Sequence, residues 1–555
     1  MIYKEFRMVK NIFAFILLAV ICFQPLFAIK AKRGIYREME MADGRTVSVE
    51  LAGDEHIRYY ISSEGNVLIP NKLGQLEKIS SANFEKLISE RLEQRGIMKK
   101  KATREVASYE PWRGLGLYDE EFPHWGSPKA LIVLVAYADV PFTVKNPKDY
   151  FTRFLNEEGF SDDGATGSVR DYFIHSSMGQ FNPQFDVYGP VMIDKRATYG
   201  ANDIYGDDKN AGGMVVDACK ALDKEINFAE YDTDGDGFVD NVYIIYAGPG
   251  EASGGPSSSI WPHQWTLQSA NGEVLELDGV KIDNYGCCNE LESGKPDGIG
   301  TFCHEFSHVL GLPDLYTYSR TKADLIATPA DWSILDYGPY NNGGHTPPSY
   351  SAFERNAMGW IDLKVIDKNE DITLAELQES NDAYILPTEK ENEFFLFENR
   401  QKTSWDKYLP GHGMLVWHIN YNWMIWMYNE VNETADKQYV DIEEANNNPN
   451  NYSSSAMAGY PFPGTSKNTE ISDITTPNLL SWGKKKSGFT ISNITETDGI
   501  IRFSVRGSAG IEDAMVHESF ESEIFTLQGI KVSGDIPPGV YLERKGNKII
   551  KKFIK

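Results

Sequence analysis

The run His304-Glu-Phe-Ser-His308-Val-Leu-Gly311-Leu-Pro-Asp314 constrains this chain more than any other stretch. Two histidines four residues apart share one face of a helix and can reach one metal ion. Glu305, one residue on, is placed to hold and deprotonate a water at that ion. Gly311 predicts the end of the helix, because glycine enters the left-handed region without a steric penalty. The chain can then turn back and offer Asp314. The spacing predicts zinc on His304, His308 and Asp314, with Glu305 as general base. It also dictates a local fold: a helix, a left-handed turn and a returning loop.

A second motif is acidic. In Asp232-Thr-Asp234-Gly-Asp236-Gly237-Phe238-Val-Asp240, side-chain oxygens stand at positions 1, 3, 5 and 9, and position 7 offers the Phe238 carbonyl. This is the spacing of a calcium loop, with Gly237 at the sharp turn. So many carboxylates repel one another unless a cation sits among them. Tyr243 stands at position 12, where an EF-hand has its bidentate glutamate, and a strand follows instead of a helix. The expectation is therefore a structural calcium, not a sensor.

The rest of the chain falls into segments. Residues 1–28 have a basic start, an apolar run from Ile12 and small residues at Ala28 and Ala31, which reads as a signal peptide cut after Ala28. No later stretch is long and apolar enough to span a membrane. Residues 32–123 read as a pro-domain and linker, with strands near 46–50 and 56–61, a helical stretch from Ala82, and a basic run, Lys99 to Arg104, as a cleavage candidate. Residues 124–360 read as the catalytic domain. It has buried strands at 130–137 and 242–247, and helices at 150–158, from a Ser168 cap, and at 211–225. Residues 361–506 turn β-rich. Trp417, Tyr421, Trp423, Trp426 and Tyr428 read there as packing in preference to a glycan surface. Residues 511–555 read as a small strand unit with a turn at Gly546-Asn547, and they look like the sorting signal of the type IX secretion route.

Composition excludes more than it assigns. A formal net charge of −26 argues against nucleic acid as a partner. Four cysteines remain beyond the signal segment: Cys219, Cys287, Cys288 and Cys303. They make neither a disulfide scaffold nor a CxxC zinc site, and their pairing stays open. Beyond the zinc motif, Leu335 is expected to fill an apolar shelf beneath the metal. Tyr337 is a candidate donor to the oxyanion, and His345 a loop residue within possible reach of the ion.

Taken with Gly167-Ser-Val-Arg-Asp-Tyr-Phe173, Ser177-Met-Gly-Gln-Phe181, Trp261-Pro-His263-Gln, Phe394-Phe-Leu-Phe-Glu398-Asn-Arg400-Gln, Leu409-Pro-Gly-His412-Gly-Met-Leu-Val-Trp-His418-Ile and Tyr460-Pro-Phe-Pro-Gly464, the motifs resemble the M6 family of secreted metallopeptidases, the immune inhibitor A group, in its Bacteroidota form. The resemblance implies an α/β metzincin-like zinc protease domain followed by β-rich modules. It implies zinc on His304, His308 and Asp314, Glu305 as base, and calcium on the Asp232–Asp240 loop. It also implies a zymogen, although the N-terminal segment has no cysteine to cap zinc. The expected function is zinc-dependent endoproteolysis outside the cell, with protein or peptide substrates and the secretion machinery as partners. Two other readings are a secreted adhesin on an inactive protease fold and a metal-dependent amidase acting on small or cell-wall peptides. The intact Glu305 argues against the first.

Overall fold

The computed structural model describes residues 27–54, 57–71, 73–88, 90, 122–202, 208–317, 326–434, 437–507, 523–526, 531–532, 539–545 and 548–554. The chain divides into two compact units, Met1–Arg506 and Gly507–Lys555. Most of the signal-like stretch, the basic run 99–104 and the turn at 546–547 lie outside the described residues.

The first unit opens with a five-stranded antiparallel meander, β1 (Tyr36–Glu40), β2 (Thr46–Gly53), β3 (Arg58–Ser62), β4 (Val67–Pro70) and β5 (Leu76–Lys78). The two strands expected here are β2 and β3. Val49, Leu51, Tyr60, Leu68 and Leu76 turn to one face and bury against Trp261 of the next domain. Residues 81–88 are helical, where the helical stretch was expected.

The central sheet is mostly parallel. Its strands are β6 (Lys129–Tyr137), β7 (Gln184–Ile193), β8 (Val242–Pro249), β9 (His263–Thr266), β12 (Asn284–Glu292) and β13 (Lys295–Pro296), with a small hairpin of β10 (Leu275–Leu277) and β11 (Val280–Ile282) between. The order is β13-β12-β8-β6-β7, and β9 pairs antiparallel with the free side of β12. β6 shows why both faces are covered. Leu131, Val133, Val135 and Tyr137 enter one core, while Ala130, Ile132 and Leu134 enter the other. A strand with no polar face needs helices on both sides. On one side lie α1 (Pro147–Asn156), α2 (Val169–Ser176) and the zinc-motif helix; on the other lies α3 (Ala211–Leu222). The Ser168 cap is a full capping box with Asp171. α1 begins earlier than the apolar pattern suggested, because Pro147 suits a first helical turn.

The β-rich region follows. β14 (Lys364–Val365), β16 (Tyr384–Pro387), β17 (Glu393–Arg400), β18 (Gly413–Asn420) and β19 (Val440–Ile442) form one sheet. β15 (Glu370–Leu374), β20 (Ile471–Ser472), β21 (Phe489–Thr497) and β22 (Ile500–Gly507) form another. The two sheets share a core containing Phe395, Phe397, Ile491 and Phe503. Of the clustered aromatics, Trp417, Tyr421 and Trp426 are buried in the core that also holds the zinc-motif helix and Trp423 packs against it, so packing accounts for most of them. The second unit, taken by itself, is a four-stranded sheet of β23 (Glu523–Thr526), β24 (Lys531–Val532), β25 (Gly539–Lys545) and β26 (Lys548–Ile554).

Candidate metal centre

The zinc-motif helix is α4 (Ile299–Val309). Phe302, Phe306 and Val309 pack into the core against the central sheet, with the Tyr243 ring tilted against that of Phe302 at 4.2 Å between centroids. That leaves His304 and His308 on another face. Gly300 permits this placement, because a Cβ there would run into the backbone of Pro339. After Val309 the chain takes the left-handed turn, with Gly311 at φ +89°. Leu312 N–H donates to the Ser307 carbonyl and Gly311 N–H to that of His308, the paired bonds of a Schellman motif.

The return brings Asp314 to the histidines. The two Nε2 atoms are 3.1 Å apart, and each lies 3.3 Å from Asp314 Oδ1. Three ligands at about 2.0–2.1 Å from a tetrahedral zinc stand about 3.3 Å from one another. Both Nδ1 atoms are committed elsewhere, His304 to the Ile334 carbonyl and His308 to that of Leu312, each at 2.7 Å. With Nδ1–H donating, the Nε2 lone pairs face the gap. Asp314 Oδ1 is buried and has no hydrogen-bond partner among the described residues. Burial would raise the Asp314 pKa, but His308 and His304 outweigh it and hold the carboxyl well below the usual range. Burial lowers that of His308, against the opposing pull of Asp314. A buried acceptor without a donor, beside two converging lone pairs, is what a divalent cation satisfies. His304, Glu305 and His308 also present ligand atoms within 4.8 Å of one another.

One residue of this site escaped sequence reasoning. Asn429 donates from Nδ2 to Asp314 Oδ2 and accepts the Asp314 N–H on Oδ1, both at 2.7 Å. It is buried, at φ +54°, in the loop after β18. A left-handed asparagine has no sequence signature, and its partner lies 115 residues away. The β-rich region therefore reaches into the metal centre.

The N-terminal segment lies across the site. Ile29 N–H donates to Glu305 Oε1 at 2.8 Å, and the Phe27 ring stacks on His308 with centroids 4.9 Å apart. Phe27 and Gln264 exchange backbone hydrogen bonds of 3.1 and 2.8 Å, so the segment meets β9 through one antiparallel bridge. Trp261 Nε1 donates to the Ile29 carbonyl, the Tyr316 hydroxyl to that of Ala28, and the Tyr340 hydroxyl to that of Lys30.

Leu335 is fully buried beside the site, and its carbonyl accepts the Leu315 N–H. Tyr337 carries the Arg33 guanidinium 3.5 Å over its ring centroid and Lys30 Nζ at 5.1 Å. His345 is half-buried in its turn, its carbonyl accepting from Thr166 N–H. In the acidic loop, Asp232, Asp234 and Asp240 place oxygens within 4.8 Å of one another, while the exposed Asp236 stands outside that group. The loop's own amides occupy several of these oxygens. Asp232 accepts from Gly235 and Gly237, Asp236 from Phe238, and Asp240 from Thr233. Burial pushes the Asp240 carboxyl up to about 6. Cys219, Cys287, Cys288 and Cys303 are all buried and unbridged. Cys287 and Cys288 belong to opposite cores, as neighbours on one strand must.

Comparison with known proteins agrees with this geometry. Residues 127–364 match the family described as "Immune inhibitor A peptidase M6, catalytic domain". The chain is 28% identical over 290 residues to immune inhibitor A of Bacillus thuringiensis subsp. alesti, covering 43% of this chain and 41% of that protein. It is 28% identical over 294 residues to the pre-pro-metalloprotease PrtV of Vibrio cholerae, covering 44% of this chain and 31% of that one. The chain thus spans less than half the length of either relative. The matched segment runs from the start of the central sheet past α4, and it contains His304, Glu305, His308 and Asp314 but not Asn429.

Proposed function

We propose that this chain is a zinc-dependent endopeptidase acting on proteins or peptides outside the cell, made in a latent form. The observation that carries the reading is the triangle of His304 Nε2, His308 Nε2 and Asp314 Oδ1 beside a buried glutamate, inside a segment matched by a peptidase family. Zinc held there supplies a Lewis acid that polarises a carbonyl and acidifies water. Glu305 takes the proton from the attacking water and delivers it to the leaving amine. The carbonyls of Ile334 and Leu312 fix the histidine rings, and Asn429 fixes Asp314. The Tyr337 phenol is the candidate donor to the oxyanion once Arg33 has left its ring. Latency follows from occupancy: after a cut behind Ala28, which removes Phe27, Ile29 would stay against Glu305 and the residues that follow it would still lie across the cleft. The resemblance to secreted metallopeptidases supports an extracellular setting, the terminal sheet of β23–β26 being the candidate sorting element. In the acidic loop, Asp232, Asp234 and Asp240 are the residues that would hold a structural calcium, with Asp236 and the Phe238 carbonyl as the further oxygens of the motif.

The test is Glu305→Gln in the processed protein. Zinc content should stay at one ion per chain while hydrolysis of an unfolded protein falls by about 10³-fold or more, the scale of losing a general base together with its positioning of water. Near-normal turnover of the zinc-loaded variant would sink the mechanism. Turnover that survives complete zinc removal would sink the metallopeptidase reading itself.

A further inference from the structure

The segment in the cleft is strongly basic, Ile29-Lys30-Ala31-Lys32-Arg33, and the cleft receives each of its cations differently. Lys30 Nζ lies 5.0 and 5.1 Å from the ring centroids of Tyr316 and Tyr337, and it donates to the Thr317 carbonyl at 3.3 Å. Lys32 forms an ion pair with Glu292, lies 5.4 Å from the Tyr340 ring, and feels the charge of Asp297. Arg33 covers Tyr337 and approaches Tyr452 to 5.0 Å, with Asp336 and Asp331 acting on its charge. These receiving groups all belong to the protease and β-rich regions.

The main chain of the segment is held without regard to sequence. Gln264, Trp261, Tyr316 and Tyr340 hydrogen-bond to its amides and carbonyls. Any extended peptide offers these groups, so they supply affinity, while the side-chain contacts supply choice. Ala28, Ile29 and Ala31 join the apolar core of the β1–β5 sheet. Lys30 and Lys32 point toward the tyrosines and Glu292. When the N-terminal sheet leaves, the partners of Ile29 and Ala31 on that sheet leave with it, and the cation-receiving surface stays behind.

From this arrangement, and resting on the peptidase reading above, we infer that the enzyme's substrates are basic peptide segments. Lysine or arginine is selected one, three and four residues after the residue whose N–H faces Glu305. Tyrosine faces and carboxylates together suit ammonium and guanidinium groups and repel carboxylates. A protein with a net charge of −26 also gathers such segments from a distance.

The experiment uses the full chain after limited proteolysis has removed the N-terminal segment, loaded with zinc. Three peptides on the frame Phe-Ala-Ile-x-Ala-x-x are compared, with Lys/Lys/Arg, Gln/Gln/Gln or Glu/Glu/Glu at x, alongside an unfolded protein as general substrate. Cleavage kcat/KM and the anisotropy of fluorescently labelled peptides are both read. The basic peptide should exceed the glutamine peptide by at least about tenfold and the glutamate peptide by more, a size expected of charged contacts at a partly desolvated site. Glu292→Gln, which removes the carboxylate that pairs with Lys32, should shrink the ratio between the basic and glutamine peptides. If the protein digests the unfolded substrate but treats basic and glutamine peptides within twofold of each other, the inference is overturned and the acidic rim serves only to dock the N-terminal region. If nothing is cleaved, the peptidase reading fails. Anisotropy then still decides the preference: tighter binding of the basic peptide supports it, and equal binding overturns it.

Discussion

Asp314 is held on the metal side by two histidines and from behind by one amide. With Oδ2 bonded to Asn429 Nδ2 and its own N–H bonded to Asn429 Oδ1, the carboxylate can present only Oδ1 to the ion. Replacing Asn429 with alanine should weaken zinc binding by about 10–100-fold, the usual cost of losing a group that orients a ligand. Competition against a chelator of known affinity measures this, and an unchanged zinc affinity would reduce Asn429 to packing. The contrast with the other site residues shows what a sequence can disclose. His304, Glu305, His308 and Asp314 lie within eleven consecutive residues, so helix geometry and one glycine set their relation locally. Asn429 acts across two domains through a backbone conformation that many asparagines adopt in ordinary turns.

At the scale of elements, legibility followed locality in the same way. β6 and β8 could be read because unbroken apolar runs need burial on both faces, and α2 because its capping box is spelled in four residues. β9 could not: it has four residues, and its place is set by pairing with β12 on one side and Phe27 on the other. The acidic loop makes a prediction here. It precedes β8, so a cation among Asp232, Asp234 and Asp240 ties down the root of a central strand. Removing calcium at constant zinc should lower the melting temperature and increase nicking near Asp232, and calcium should restore both. Asp232→Asn with Asp234→Asn should abolish the response. An identical melting point with and without calcium would leave a loop satisfied by its own amides.

β18 makes another prediction. Burial alone would lower the pKa of His418, but Glu393 and Glu443, at 3.1 and 3.2 Å, raise it to about 9. Asp441, beside it, is pushed up by burial and by Glu443 to about 8, and burial and Asp441 raise that of Glu444. An imidazole raised above its unfolded value stabilises the fold fully below about pH 6.5 and loses that contribution as pH climbs through about 9. A carboxyl raised in the fold favours the fold when protonated, so its contribution is lost as pH climbs through about 8. The signs agree, and the melting temperature should fall by a few degrees between about pH 6.5 and 9. His418→Gln should flatten that slope; a slope unaffected by the substitution would place its origin elsewhere.

For the molecule as a whole, the question is what keeps the N-terminal sheet on the domain that carries α4. Its apolar face covers Trp261, and in the middle of that contact Arg58 lies 3.1 Å from Glu251 and 3.5 Å from Asp208, all three side chains buried. Arg58 also sits 5.1 Å from the Trp261 ring, whose Nε1 holds Ile29 over the metal centre. Burial raises the Asp208 carboxyl to about 7 and that of Glu251 as well, and Arg58 pulls both back toward the charged form. Breaking a buried pair by removing one partner costs about 3–5 kcal/mol, because the remaining charge is left dry. Here the protein can escape that cost by lifting the sheet and letting water in. Arg58→Met in the full chain should therefore raise activity before any processing by at least about tenfold, a change that needs only about 1.4 kcal/mol of the loss to appear as release. Amide exchange at Ile29 and Gln264 should rise with it. Adding Asp208→Asn and Glu251→Gln should restore silence, since neutral amides tolerate burial without a cation. The triple variant separates loss of the latch from general destabilisation, which it would not cure. If unprocessed Arg58→Met protein stays as silent as its parent, with Ile29 equally protected, then the apolar face alone holds the sheet and the ion cluster is incidental to latency.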